Sequence, residues 1–395
     1  MTAGARLRAV AARYGYELSL ALLLLVVLAA HLAISETPRD ARVFDEAYYV
    51  PAARDLITGI ATNVEHPPLA KGLIALSILA FGDRGIAWRL PSILFGTVAI
   101  LLLYLLTRRL ADKKTALLAA FLLSFESLWF VHASIAMLDV VAVTLGLAAL
   151  LLLVRGEWVW TGAVVGLAML AKETMAVLVV VAAAYAALQF PPGASARRTA
   201  REAGSVLFFV GVAAFVVFMA GLQIYDSGYD AFPTAFAHVA RMVRHNRAIA
   251  APAFSDAVHP WQWFSGFTPS GYYVTSTATG NDLKRTYVQY MGQPNLVVVL
   301  LIWLALPFSM PLVKARDPNA MLHVVLFLVS WAFFAAVAFA RITYPYYMLA
   351  LIPSLCVLVA VFLSRLPRAV ILTCCVGVVL WFLAWFPVNL LAYAH

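Results

Sequence analysis

Apolar residues fall along this chain in long runs separated by short polar loops. A helix needs ~20 apolar residues to span a bilayer, fewer if it tilts or buries its ends. On that measure helices are predicted near 17–34, 86–106, 115–132, 136–154, 158–171, 174–190, 204–222, 295–313, 320–340, 345–363 and 369–390. That is about eleven transmembrane helices. The run 158–171 is short, and only Lys172-Glu173 separates it from the next. Merging the two would flip every later loop and put Arg197, Arg198 and Arg201 outside, against the pattern of the other basic loops. The first run follows a basic N-terminus, as a signal peptide does, but it is long enough to span and shows no good small-residue cleavage site. In both cases the loop after it lies outside.

With the N-terminus inside, two long segments are external, 35–85 and 223–294. Loops of this length in a compact protein are usually functional. The first is predicted to hold two short helices. One includes Ala52 to Ile57 and stops at Gly59. The other follows Pro67-Pro68 and runs from Leu69 to Leu79, bounded by Gly82-Asp83. It is apolar yet too short to span comfortably, which suits a helix lying at the membrane interface. No repeat, low-complexity tract or appended soluble domain stands out, so 1–395 reads as one domain.

Composition strengthens this picture. Hydrophobic residues make up 64% and charged residues 12%, whereas soluble domains run nearer half and a quarter. Lipid has to cover the excess. The net charge of +9 does not indicate a nucleic-acid partner. The basic residues cluster in short loops (Arg108, Arg109, Lys113 and Lys114; Arg197, Arg198 and Arg201; Lys314 and Arg316; Arg365 and Arg368), which is the cytoplasmic signature of membrane topology. Cys356, Cys374 and Cys375 all lie in apolar runs and suggest neither a disulfide framework nor a cysteine zinc site.

The candidate chemistry sits at one face. Phe44-Asp45-Glu46-Ala47-Tyr48-Tyr49 carries two adjacent carboxylates. They could simply cap a helix, although Pro51 would clash in the sixth helical position. The functional alternative is a general base with an adjacent carboxylate that binds substrate or metal. Glu65-His66-Pro67-Pro68-Leu69-Ala70-Lys71 brings together an acid, an imidazole and a cation. Glu65 and His66 are candidate ligands for a divalent metal, but two ligands fall short of a full site. Asp139, Lys172, Glu173, Glu126 and His132 lie near the outer ends of helices, where charge is costly and usually faces a polar cavity or a partner. In the second loop His259-Pro260-Trp261 and Gly271-Tyr272-Tyr273 could form an interfacial belt or stack on sugars. Arg241, Arg244, His245 and Arg247 are spaced along what could be one helix. Phosphate-binding glycine loops, His-Glu-x-x-His and nucleophile elbows are absent.

The ordered pattern of Asp45-Glu46, then His66-Pro67-Pro68-Leu69-Ala70-Lys71, then Arg89-Leu90-Pro91-Ser92 resembles the protein O-mannosyltransferases and related polyprenyl-phosphate-dependent transferases such as the aminoarabinose transferases. Leu138-Asp139 and Lys172 also sit where that superfamily places polar residues. The likeness covers about the first half of the chain. Later it rests only on His259-Pro260-Trp261 and on Tyr344-Pro345-Tyr346-Tyr347-Met348-Leu349.

The resemblance implies an all-α, GT-C-type membrane bundle and an inverting transfer of a sugar, mannose first among the candidates. The donor would be a polyprenyl-phosphate-linked sugar and the acceptor a hydroxyl of a protein, lipid or glycan. It implies Asp45 as general base, Glu46 as a positioner of acceptor or sugar, and Asp139 in support. Lys71, Lys172 and Arg89 would bind the donor phosphate, while Tyr48, His259, Trp261 and Tyr346 would contact sugar or acceptor. Relatives differ on metal use. Eukaryotic members carry an extra luminal domain where this chain has a loop of about seventy residues, which suits the plasma membrane of a prokaryote. The competing reading from another class is a transporter, which predicts ionisable residues at the bilayer midplane and matching halves.

Overall fold

The computed structural model describes residues 3–39, 41–190, 193, 195–248, 258–264, 270–278 and 284–386. The protein is a helical integral membrane protein. Its helices are α1 (Ala3–Ile34), α2 (Glu46–Ile57), α3 (Leu69–Phe81), α4 (Gly85–Leu110), α5 (Lys113–Ser124), α6 (Ser127–Ser134), α7 (Leu138–Leu153), α8 (Trp158–Ala171), α9 (Val177–Leu188), α10 (Ala196–Tyr229), α11 (Ala235–Ala248), α12 (Leu296–Lys314), α13 (Pro318–Ala338), α14 (Ile352–Leu363) and α15 (Arg368–Ala384). Each apolar run marked in the sequence is mostly helical where described; residues 387–390 of the last run lie outside the described residues.

Among the described residues, five helices are long and apolar enough to cross a membrane on their own, or six if α5 and α6 count as one bent span. The other expected crossings, α7, α8, residues 173–188, α14 and α15, are shorter apolar helices. Helix length thus gives five or six crossings where the apolar runs suggest about eleven. α3 is among the short apolar helices, as expected of an interfacial element.

Three runs differ from the helices expected of them, two by a break or change of helix type and one by its length. The run 115–132 breaks at Phe125-Glu126 and turns by 62°. Glu126 there accepts from the Trp129 N–H at 2.7 Å and the Asn295 N–H at 2.7 Å, so it caps α6 and ties it to the start of α12. The run 345–363 opens as a 3-10 turn, Pro345–Ala350, before α14. α10 starts earlier and ends later than its apolar core, which takes the first residues of the second external loop into helix. The rest of that loop holds α11 and an antiparallel hairpin of β1 (Ser270–Ala278) and β2 (Lys284–Gly292), with Ser270 opposite Gly292. The basic series from Arg241 to Arg247 does lie on one helix, α11.

α14 is buried on nearly every side and sits at the centre with α7. α1, α10 and α12 face outward and expose Leu25, Phe208, Phe215, Leu300 and Trp303, as lipid-facing helices should. α8 packs closely on α10 through Gly162 and Gly166. A Cβ at these positions would come within 2.4 Å of the Val210 carbonyl and 2.7 Å of the Ala214 carbonyl. Small residues four apart allow such close approach where lipid offers no hydrophobic drive.

The basic loops gather as their composition predicts. Lys113 pairs with Glu17 at 2.6 Å, Lys114 donates to the Ser364 carbonyl, and Arg316 donates to the carbonyls of Leu188 and Phe190.

Candidate functional site

The site begins where the first external loop enters α2. An N-cap side chain reaches the next turn's N–H groups from an extended backbone. Asp45 occupies that position with helical angles, φ −70° and ψ −5°, and makes no side-chain cap bond. Its carboxylate instead lines a cavity and accepts from the Tyr49 hydroxyl at 3.4 Å. The helix continues through Pro51, so the expected clash is absorbed at the cost of a backbone donor.

Glu46, one residue on, points into the protein. It is fully buried and accepts from Arg89 Nε at 2.8 Å, Arg89 Nη2 at 2.9 Å, the Val43 N–H at 2.8 Å and the Ala136 N–H at 2.9 Å. Arg89 donates further to the Ser35 and Thr37 carbonyls, each at 2.9 Å. Arg89, expected to bind the donor phosphate, and Glu46, expected to position acceptor or sugar, are buried against each other and do not line the cavity beside Asp45. Each neutralises the other, and together they fasten the start of α2 to α4 and to the α6–α7 turn.

Asp139, in the first turn of α7, forms an ion pair of 2.5 Å with Lys172, which follows α8. The Lys172 ammonium lies 5.4 Å and 5.3 Å from the ring centres of Tyr346 and Tyr347. Burial pushes the Asp45 carboxyl up to about 6; Lys172 pulls the other way and Asp139 adds to the rise. Charges on α2, on α7 and after α8 therefore act on one another at this point.

Lys71, expected to bind the donor phosphate, is turned inward. It is buried, and its ammonium donates to the Asn63 carbonyl at 2.5 Å, the Asn63 side chain at 3.4 Å and the His66 carbonyl at 2.8 Å. All three N–H directions are spent inside the protein, where they brace the 63–66 turn. Burial brings its pKa down to about 7. In the turn, Glu65 accepts from the Asn63 amide at 3.0 Å. His66 sits edge-on to Tyr49 at 5.8 Å and to His245 at 6.5 Å. Burial first, then nearby cations, hold His66 down to about 3, so the ring is neutral. Among the described residues no group of three or more His, Cys, Asp or Glu is placed to hold a metal ion. Glu65 and His66 stand as two candidate donors without a third beside them among the described residues.

The cavity measures about 670 Å³ and is lined by Phe44, Asp45, Tyr48, Tyr49, Glu65, His66, His245 and Tyr346 among others. Tyr48 is exposed on it and Tyr346 meets Phe44 edge-on at 5.4 Å. His259 and Trp261 stack on each other at 4.4 Å and do not line it. Val258 is tied to Thr343 through the Val258 N–H and the Thr343 hydroxyl, and Trp261 leans toward Phe339 at 6.2 Å. The two rings expected to contact sugar thus stand apart from the cavity that Asp45 lines.

The hairpin contributes a wall that sequence reasoning missed. Tyr272 stacks on Phe44 at 4.0 Å, its carbonyl accepts from the Phe44 N–H, and its hydroxyl bonds His132 Nε2 at 2.8 Å. A Cβ on Gly292 would fall 2.2 Å from the Tyr272 ring, so glycine is what lets that ring sit there. The Thr-Gly-Asn-Asp stretch between two β-branched and aromatic runs was the available signal. Tyr49, four residues after Asp45, was also readable as its neighbour by helical spacing, whereas His245 reaches the cavity only through the packing of α11. Arg341, which donates to Asn246 and to the Tyr347 hydroxyl, carried no local signal.

Residues 65–222 match the family described as dolichyl-phosphate-mannose-protein mannosyltransferase. A polyprenol-phosphate-mannose–protein mannosyltransferase of Corynebacterium glutamicum is 34% identical over 135 residues, 31% of this chain and 26% of that protein. Its counterpart from Mycobacterium tuberculosis is 34% identical over 113 residues, 27% of this chain and 22% of that protein. The matched stretch is about a quarter of these relatives' length. The Saccharomyces cerevisiae protein O-mannosyltransferase Pmt1–Pmt2 complex bound to the sugar donor superposes with a TM-score of 0.73 at 12% identity, covering 95% of this chain and 90% of that one. ArnT from Cupriavidus metallidurans bound to undecaprenyl phosphate gives 0.64 at 17% identity, over 92% and 63%. The fold is therefore the GT-C type of membrane glycosyltransferases, and the family resemblance seen in the sequence is met again in the first half of the chain.

Proposed function

We propose that this protein is an inverting glycosyltransferase that moves a sugar, mannose first, from a polyprenyl-phosphate carrier to a Ser or Thr hydroxyl of a protein acceptor. The observation that carries this is Asp45: a carboxylate at a helix start, excused from capping, half-buried on a cavity of about 670 Å³ and pushed up to about 6 by desolvation. A general base works best when its pKa lies near the operating pH.

Asp45 takes the proton of the acceptor hydroxyl while that oxygen attacks the anomeric carbon from the side opposite the phosphate. The new glycosidic bond forms as the bond from that carbon to the phosphate oxygen breaks. Both electrons of the broken bond leave on the polyprenyl phosphate, and the anomeric centre inverts. Lys172 is the cation that receives the leaving phosphate, a role in which fixed charge is worth most because it needs no reorganisation. Asp139 holds the Lys172 ammonium, and Glu46 with Arg89 holds the helix that carries Asp45. α3 guides the carrier lipid at the interface.

The topology that goes with this function has about eleven crossings, a cytoplasmic N-terminus and the site on the non-cytoplasmic face of a prokaryotic plasma membrane. The gathering of basic loops and the bacterial relatives support it.

The test uses purified protein in lipid nanodiscs, labelled polyprenyl-phosphate-mannose, a Ser/Thr-rich peptide, and Asp45→Asn protein as control. Label should reach the peptide with wild type and fall by at least about a thousandfold with Asp45→Asn. Label on lipid or glycan with none on peptide would move the acceptor. Equal transfer by both proteins would remove Asp45 as base.

A further inference from the structure

His238, on α11, is fully buried, and each of its ring nitrogens faces an acceptor. Nδ1 lies 2.8 Å from Asp226 Oδ1 at the end of α10, and Nε2 lies 2.8 Å from the Val64 carbonyl oxygen. A carbonyl can only accept, so Nε2 carries a proton. A neutral imidazole has one N–H. The short contact at Nδ1 therefore needs a second proton, shared between the ring and Asp226. The ring also stacks on Phe232 at 4.5 Å. Asp226 is fully buried too, and its second carboxylate oxygen has no partner among the described residues.

The bond to Val64 spans 174 positions in sequence and ends next to Glu65 and His66, which line the cavity. From the other side, Lys71 holds the carbonyls of Asn63 and His66. Three carbonyls of one short turn are thus taken by two buried donors from different helices. Seven residues beyond His238, about two helical turns, His245 lines the same cavity. α11, α10 and the turn meet at the His238 ring.

We infer that His238 and Asp226 form a proton-sharing clamp that positions the 63–66 turn and α11 as one wall of the substrate cavity. They are positioning residues and touch no reacting atom. Their effect on transfer rests on the glycosyltransferase reading above, whereas the clamp itself does not.

Two measurements separate these. Hydrogen–deuterium exchange of full-length protein in nanodiscs reads the turn directly. His238→Phe keeps the stacking ring and loses both bonds, so amides around 60–68 should exchange at least about tenfold faster. Asp226→Asn leaves an amide able to bond Nδ1 of a neutral ring while Nε2–H still donates to Val64, so the turn should stay as protected as in wild type. In transfer assays with labelled polyprenyl-phosphate-mannose, His238→Phe should raise KM about tenfold with kcat within about threefold, as expected when a binding wall loosens without loss of the base. Wild-type exchange in His238→Phe would overturn the clamp, as would equal loss of protection in Asp226→Asn. Altered exchange with no transfer by any protein, wild type included, would uphold the clamp and count against the transferase reading alone.

Discussion

Neighbouring carboxylates on a helix point about 100° apart, so one can face a cavity while the other is buried. Asp45 and Glu46 divide in this way, and the division makes separate predictions. Asp45 must be a carboxylate to accept a proton. With burial holding it at about 6, kcat/KM should rise roughly tenfold per pH unit below that value and level off above it. Lys172 lowers the Asp45 value and Asp139 raises it, so Lys172→Met should move the limb to higher pH while reducing the plateau rate. A flat profile from about pH 4.5 to 8 would contradict Asp45 as the titrating base.

Glu46 predicts a stability effect. Removing one partner of a buried ion pair typically costs about 3–5 kcal/mol because the other charge is left alone. Arg89→Met should therefore lower the thermal midpoint in detergent sharply. Asp45→Asn, which strips no partner from a buried charge, should not. An Arg89→Met midpoint equal to wild type would mean the pair contributes nothing to holding α2.

At the level of elements, the close contact of α8 with α10 sets where Lys172 stands, because Lys172 ends α8. Gly166 meets the Ala214 carbonyl and the Val217 side chain at distances no Cβ tolerates. Gly166→Leu should push the two helices apart at a cost of about 1–3 kcal/mol. The displacement carries Lys172 away from Asp139 and Asp45, so transfer should fall in protein that still inserts and elutes as a monodisperse species. Full activity in that variant would show that the helix contact does not govern the site. The break between α5 and α6 follows a related logic. The buried Glu126 carboxylate at the break satisfies the Trp129 N–H, which a continuous helix would have bonded itself, and also takes the Asn295 N–H ahead of α12. Hydropathy could not reveal this break, because both halves are equally apolar.

For the whole molecule, the distribution of charge predicts sidedness. In a variant with Cys356, Cys374 and Cys375 replaced by Ala, a cysteine at Trp261 should react with a membrane-impermeant maleimide in intact cells. A cysteine at Lys113 should react only after permeabilisation. The reverse pattern would invert the topology and place Asp45 in the cytoplasm.

Much of this protein was legible without coordinates. The apolar runs dictate membrane helices because unpaired backbone groups cannot remain in lipid, and the basic loops dictate which ends share a face. Asp45 could be singled out because an acid pair in an external loop is locally unusual. Which acid faces the cavity was not legible. That follows from the αR backbone of Asp45 and from Arg89, forty-three positions away from Glu46. The partners of the cations were hidden for a similar reason. A lysine near a binding motif looks free in sequence, and only packing shows that the Lys71 N–H groups are spent on backbone and side-chain acceptors and that Lys172 is paired with Asp139. Local pattern sets which segments become helices, whereas the roles of buried charges depend on partners that folding brings from distant parts of the chain.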